Sequence, residues 1–167
     1  AQMLKEGKIA EGEPINVVVP TGNFGNILAA YFAKNMGLPI AKLICASNEN
    51  KVLFDFLRTG TYDRNRDFVL TSSPSMDILI SSNLERLIYL IAGEDAERNR
   101  NLMMQLSVSG KYEISTQMQE KLQDFYGEYA TEKETAQTIA SLFDKCGYVI
   151  DPHTAVASCV YRKYKKQ

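Results

Sequence analysis

Residues 15–26, Ile-Asn-Val-Val-Val-Pro-Thr-Gly-Asn-Phe-Gly-Asn, constrain the fold more than any other stretch of the chain. Ile15–Val19 is a compact β-branched run of the kind that lies inside a parallel sheet, buried on both faces. Pro20 closes it, because proline has no N–H to give to a strand ladder. A polar turn with Gly22 and Gly25 follows, and from Asn26 to Met36 Ile27, Leu28, Ala30, Tyr31 and Ala33 recur at helical spacing. Gly37 and Pro39 stop that helix. Ile40–Ala46 is again strand-like, and a polar loop leads to a short helix over Lys51–Arg58. Strand, turn, helix, repeated, is the βαβα pattern, which demands a parallel sheet with right-handed crossovers. The expectation is an α/β fold, a parallel or mixed sheet with flanking helices.

Beyond this core the reading is coarser. Ala1–Lys8 reads as the tail of a helix. Thr59–Ser82 is rich in Gly, Asp, Asn and Ser, with Phe68–Leu70 its only strand-like segment. Helices are expected over Leu84–Ala92, behind a capping box at Ser82–Glu85, and over Asp95–Val108, with Leu102, Met103 and Leu106 as its apolar face. A third spans Tyr112–Phe125, capped by Ser115, so a helical insertion covers about 84–125 within a single unit, 1–167. Thr131–Glu134 opens a helix running to about Lys145, Tyr148–Ile150 is expected as a third strand of the sheet, and Asp151-Pro152 caps and begins the last helix.

Composition narrows the partners. The 167 residues carry 19 Lys and Arg against 20 Asp and Glu, a net charge of -1 that sets up no global attraction to nucleic acid or anionic lipid. Neither a membrane-length apolar run nor a basic patch followed by an apolar stretch occurs, so a cytoplasmic setting is expected. Cys45, Cys146, Cys159 and His153 lack metal-ligand spacing. Buried structural thiols are the expected role of the cysteines; a Cys146 or Cys159 nucleophile with His153 is the alternative.

The chemistry concentrates in the first turn. At the start of a helix the backbone N–H groups of Gly22, Asn23, Phe24, Gly25 and Asn26 can converge on one point, and the helix dipole adds the positive end. Gly22 and Gly25 admit a bulky anion and permit positive φ, while Thr21, Asn23 and Asn26 add side-chain hydrogen bonds. Two glycines three apart also occur in ordinary βα turns. Neither Gly-x-x-x-x-Gly-Lys-Ser/Thr nor Gly-x-Gly-x-x-Gly is present, which points to a phosphate that belongs to neither ATP nor NAD.

Other polar positions have plainer readings beside functional ones. Ser72, Ser73, Ser75, Ser81 and Ser82, with Asp77 and Arg86, form either a substrate-facing loop or a capped loop with a surface arginine. His153, in the first turn of the last helix, is expected to be structural and neutral, with general acid–base chemistry as the alternative. Asn48 and Asn50 lie at the carboxyl end of the second strand, as site-edge residues or as caps. Lys5, Lys8, Lys34, Lys42 and Lys51 are expected to be solvated, and Arg162, Lys163, Lys165 and Lys166 to favour the last helical turn.

Pro20–Asn26, PTGNFGN, after a triple-valine strand resembles the coenzyme-phosphate loop of the threonine synthase family, pyridoxal-phosphate enzymes of fold type II. Ala46–Asn50 (ASNEN), Pro74–Leu87 (PSMDILISSNLERL) and Ile150–Ala157 (IDPHTAVA) resemble family segments in the same order. The resemblance implies part of the coenzyme-binding large domain, with Gly22, Asn23, Phe24, Gly25 and Asn26 holding the coenzyme phosphate. It implies conversion of O-phospho-L-homoserine and water to L-threonine and phosphate. The family's Schiff-base lysine lies upstream, near a Phe-Lys-Asp sequence that does not occur here, and the hydroxyl facing the pyridine nitrogen lies further on. The expectation is therefore a central-to-C-terminal piece without catalytic residues of its own and without turnover. A non-catalytic phosphate-binding module, or a piece of a related threonine or serine dehydratase, stands as the alternative.

Overall fold

The computed structural model describes residues 2–166. Its elements are α1 (Gln2–Lys5), β1 (Ile15–Pro20), α2 (Gly25–Asn35), β2 (Ile40–Ser47), α3 (Val52–Thr59), β3 (Thr61–Asp63), a 3-10 turn (Pro74–Met76), α4 (Leu84–Ile91), α5 (Ala96–Ser109), β4 (Lys111–Glu113), α6 (Thr116–Glu120), β5 (Phe125–Tyr129), α7 (Glu132–Cys146) and α8 (Pro152–Tyr164). The expected opening helix is thus confined to Gln2–Lys5, and Ala1 lies outside the described residues.

β1, β2 and β5 form a parallel sheet with β2 in the middle. Side chains alternate across β2, and this alternation divides the interior. Leu43 and Cys45 join α2, α3 and α4 residues such as Ile27, Phe56 and Leu87 in the larger core. Ile44 and Ala46 meet Val156, Cys159 and Val160 of α8 on the opposite face. A parallel sheet covered on both faces follows from the β-branched runs of the sequence.

The third strand is not where the sequence placed it. Tyr148–Ile150 forms no strand: Tyr148 and Val149 are 65% and 66% exposed, and the segment is the short link between α7 and α8, which pack together. Gly147 ends α7 in the left-handed conformation and the Asp151 cap begins α8, leaving three residues between two helix ends. Phe125–Tyr129 takes the sheet edge instead, which also cuts short the helix expected over Tyr112–Phe125. Only Thr116–Glu120 of that stretch is α-helical, with the Ser115 hydroxyl accepting from the Met118 N–H.

Lys111–Glu113 pairs antiparallel with Thr61–Asp63, a ladder that interrupts the expected all-helical insertion. It is held by Tyr62 and Tyr112, stacked at 5.4 Å, with Phe56 edge-on to both. Phe68–Leu70 forms no strand, and Phe68 and Leu70 are exposed. The Ser82–Glu85 capping box is absent: Asn83 is the N-cap of α4, without a side-chain cap bond. A capping box does form at Thr131/Glu134, and side-chain caps form at Asp95 and Asp151.

The cations are more engaged than solvated side chains would be. Lys34 pairs with Asp124 at 3.0 Å, Lys42 donates to the Gln123 carbonyl, and Lys51 lies 4.4 Å from the Tyr129 ring centre. Lys163 bonds the Tyr129 carbonyl and Glu134, tying α8 to β5 and α7, so it does more than offset the dipole of its own helix. No helix of the described residues is long and apolar enough to cross a membrane.

Two predictions follow from this packing. Ile44→Ala, in a fully buried site, should cost about 2–5 kcal/mol, whereas Val149→Ser should stay within about 0.5 kcal/mol, both read by denaturant unfolding. A strand at 148–150 would make the second substitution costly as well. The Asp151 carboxyl is held down to about 2 by hydrogen bonds from the Thr154 hydroxyl and N–H, with His153 adding to them. Its contribution to stability is complete above the unfolded carboxyl value of about 3.9 and is lost as pH falls through about 2. Melting temperatures between pH 5 and 2 should therefore fall more steeply for the unsubstituted protein than for Asp151→Asn.

Candidate functional site

The turn between β1 and α2 lies at the carboxyl end of the parallel sheet, where open α/β sheets bind their ligands. Thr21 N–H bonds the Ala46 carbonyl, and the buried Thr21 hydroxyl donates to Val19 O at 2.7 Å, so the strand end is fixed. The first main-chain bond of α2 runs from Leu28 N–H to Phe24 O. Among the described residues, the N–H groups of Gly22 to Ile27 reach no protein acceptor. They border an open cleft of about 290 Å³ lined by Val19–Ile27, Ser75 and Asn83.

The carbonyls of the same peptides are tied elsewhere. Gly22 O accepts from Ser81 Oγ at 2.8 Å, and Asn23 O accepts from Asn83 N and Nδ2. Among the described residues no peptide bond is cis, and in a trans peptide the N–H points opposite to its C=O, so these tethers turn the Asn23 and Phe24 amides away from the Ser81–Asn83 segment. Tyr62 supports the tether from behind: its hydroxyl accepts from Ser81 N–H at 2.8 Å and donates to Leu79 O. Burial pushes the Tyr62 phenol up to about 12, so it stays a neutral donor and acceptor.

The glycines act differently from expectation. Neither Gly22 nor Gly25 has positive φ; Phe24 does, at 65°, as the N-cap of α2. Gly22 is required for space, since a Cβ there would lie 2.5 Å from the Ser75 carbonyl oxygen. Phe24 accepts the left-handed conformation because its ring is 1% exposed and packs on Phe125, centroids 5.7 Å apart. Asn23 and Asn26 are exposed at the rim, and among the described residues their side chains hold no hydrogen bond.

The serine-rich region and the Asn48–Asn50 pair come together, but as scaffold. Asp77 Oδ1 accepts from Asn48, Asn50 and Thr71 at 2.7–2.9 Å, and Asn48 also reaches Ser73 Oγ. Asn50 exchanges bonds with the Val69 main chain. These groups are mutually satisfied, which removes them as free ligands. Ser72 bonds Glu132, Ser81 bonds Gly22 O, and Ser82 and Arg86 are exposed. Of the serines only Ser75 lines the cleft.

His153 accepts from the Ser75 N–H through Nε2 at 3.3 Å, and Nδ1 lies 3.1 Å from Asp151 Oδ1. The ring is thereby engaged by the turn and the cap, and neither Cys146 nor Cys159 is its partner. Cys45 is fully buried and its thiol is pushed up to about 12 by burial, against a smaller opposing bond to Thr21. Cys159 is buried, but Cys146 is exposed, contrary to the expected burial of all three. Among the described residues no three His, Cys, Asp or Glu side chains converge in a metal-holding group. Tyr62 and Asn83 are site-supporting residues that sequence patterning did not single out. The only signals were the three-residue Thr-Tyr-Asp strand after Gly60 and the asparagine at the α4 cap.

No protein-family model matches the chain. Over 160 residues it is 49% identical to human Threonine synthase-like 1, covering 95% of this chain and 22% of that protein. Over 163 residues it is 42% identical to Threonine synthase of Saccharomyces cerevisiae, covering 89% of this chain and 32% of that one. Among solved structures, PLP-bound threonine synthase from Brucella melitensis superposes with a TM-score of 0.91 at 43% identity, over 96% of this chain and 35% of that chain. Yeast threonine synthase gives a TM-score of 0.92 at 38% identity, over 99% of this chain and 35% of that chain. The chain thus spans between about a fifth and a third of the length of the relatives it matches. Identities of 38–43% and TM-scores of 0.91–0.92, over 89–99% of this chain, place it in the threonine synthase family.

Proposed function

We propose that this chain supplies the coenzyme-phosphate cradle of a pyridoxal-phosphate-dependent threonine synthase that converts O-phospho-L-homoserine and water to L-threonine and phosphate in the cytoplasm. The observation that carries the reading is that, among the described residues, the amides from Gly22 to Ile27 have no protein acceptor and border a cleft lined by no lysine or arginine. A phosphate dianion suits that donor set: fixed N–H groups and the α2 dipole supply positive potential, and Gly22 leaves the room. The name of the Brucella relative, PLP-bound, supports the same ligand. Residues 1–167 are read as one α/β unit in which about 84–125 is inserted.

The coenzyme, when bound, supplies an electron sink for substrate carbanions. This chain's own residues bind and orient. Gly22, Asn23, Phe24, Gly25 and Asn26 hold the phosphate by main-chain donors, the Phe24 ring locks the turn, and Ser81 and Asn83 keep the carbonyls from competing. Asn23 and Asn26 side chains are free at the rim to add hydrogen bonds. No Phe-Lys-Asp sequence occurs in these residues, so the 167-residue chain by itself is proposed to have no turnover. The Saccharomyces and Brucella relatives are named threonine synthases, which favours that activity over a dehydratase.

The test uses the full-length protein. A visible coenzyme absorbance that borohydride fixes to one lysine is expected, with phosphate release from O-phospho-L-homoserine and no deamination of threonine. Gly22→Ala should cost about 1–3 kcal/mol of strain, and coenzyme affinity should fall about tenfold or more. A full-length protein that binds inorganic phosphate yet takes up no coenzyme would establish the non-catalytic module instead.

A further inference from the structure

The cleft has a second wall, the 3-10 turn Pro74–Met76, whose carbonyl at Ser75 abuts Gly22. The ends of this turn are anchored by burial. Ser73 is fully buried and bonded to Asn48, and Met76 packs into the core beside α8. Ser75, between them, is exposed, and among the described residues its one hydrogen bond is the N–H donated to His153 Nε2.

We infer that His153 is a positioning residue for the phosphate cradle, acting through the Ser75 peptide, and that Asp151 sets the ring form required. Nε2 can accept only if its lone pair is free, so the ring proton must sit on Nδ1. Nδ1 lies 3.1 Å from Asp151 Oδ1, and that carboxylate receives the proton's hydrogen bond. Asp151 is itself immobilised, because it caps α8 by accepting from the N–H groups of His153 and Thr154. The start of α8 therefore holds Ser75 by its N–H, and the Ser75 carbonyl, in the following peptide, backs Gly22, which opens the run of cradle amides. Without the acceptor, the middle of the turn is free to move outward and the wall behind Gly22 is lost. His153 is not itself a lining residue and meets the cleft wall only through the Ser75 N–H, so its part is geometric rather than catalytic.

This inference rests on the reading of Gly22–Ile27 as the coenzyme-phosphate cradle, and its test separates the two. In the full-length protein, His153→Leu removes the acceptor, whereas His153→Gln can place an amide oxygen near the position of Nε2. Two quantities are read: hydrogen exchange at the Ser75 amide without coenzyme, and the dissociation constant for pyridoxal phosphate by absorbance titration. His153→Leu should exchange the Ser75 amide about five- to tenfold faster and weaken coenzyme binding about three- to tenfold, with His153→Gln within about twofold of the unsubstituted protein in both. Unchanged Ser75 exchange in His153→Leu overturns the inference, as does faster exchange with unchanged coenzyme affinity. If the unsubstituted protein takes up no coenzyme, the functional reading fails, a result distinct from a bound coenzyme indifferent to His153.

Discussion

The burial of one phenylalanine ring sets the geometry on which the site depends. A left-handed backbone at a residue with a Cβ costs on the order of 1–2 kcal/mol. Phe24 adopts it at φ 65°. Full burial of a phenylalanine side chain returns about 1.5–3 kcal/mol, and the Phe24 ring is inside the larger core against Phe125. Burial outweighs strain, so the turn keeps its shape through the packing of α2 on the sheet. The amides before α2 are consequently held in place by the core, and a ligand need not order them on arrival.

A second layer controls the polar groups. The residues richest in apparent binding capacity, Asn48, Asn50, Thr71, Ser73 and Asp77, spend it on one another. A buried network of this kind is stable only when its members are satisfied, and here Asp77 is the common acceptor. What the network delivers is a fixed base for the Pro74–Met76 turn, while the Ser81–Asn83 tethers, backed by Tyr62, bond the Gly22 and Asn23 carbonyls. The polar side chains organise the site, and the peptide groups are left to bind.

The parts legible in the sequence are those whose cause is local. β1 and β2 were readable from β-branched runs, and the caps at Ser115 and Asp151 from residues that bond their own first turn. β5 was not, because Phe125–Tyr129 contains Gly127 and follows a helical-looking stretch. Its place is fixed by β2 alongside and by α3, since a Cβ on Gly127 would press on Leu57 and Phe54. Tyr148–Ile150 has strand composition but sits between two helix ends. The positive φ was expected at a glycine and belongs to Phe24, whose reason, the Phe125 ring, is a hundred residues away. The missed strand is therefore also the element that supports the turn most readable in the sequence.

A site made of peptide groups has an unusual exposure to mutation. The amides of Gly22 to Ile27 cannot be deleted by a side-chain change, and among the described residues no Lys or Arg lines the cleft to be exchanged for a neutral residue. Positive potential comes from the start of α2, equivalent to about half an elementary charge and concentrated in the first turn. On the proposed reading as a phosphate cradle, selectivity comes from shape: a tetrahedral dianion presents several oxygens to the run of amides, whereas a planar carboxylate presents fewer. Substitution reaches such a site only indirectly, by filling the space at Gly22, by releasing the ring of Phe24, or by loosening the tethers at Ser81, Asn83 and Ser75. Each of those positions lies in one of the segments that carry the family resemblance, so the constraint on sequence falls on the supports of the proposed anion site.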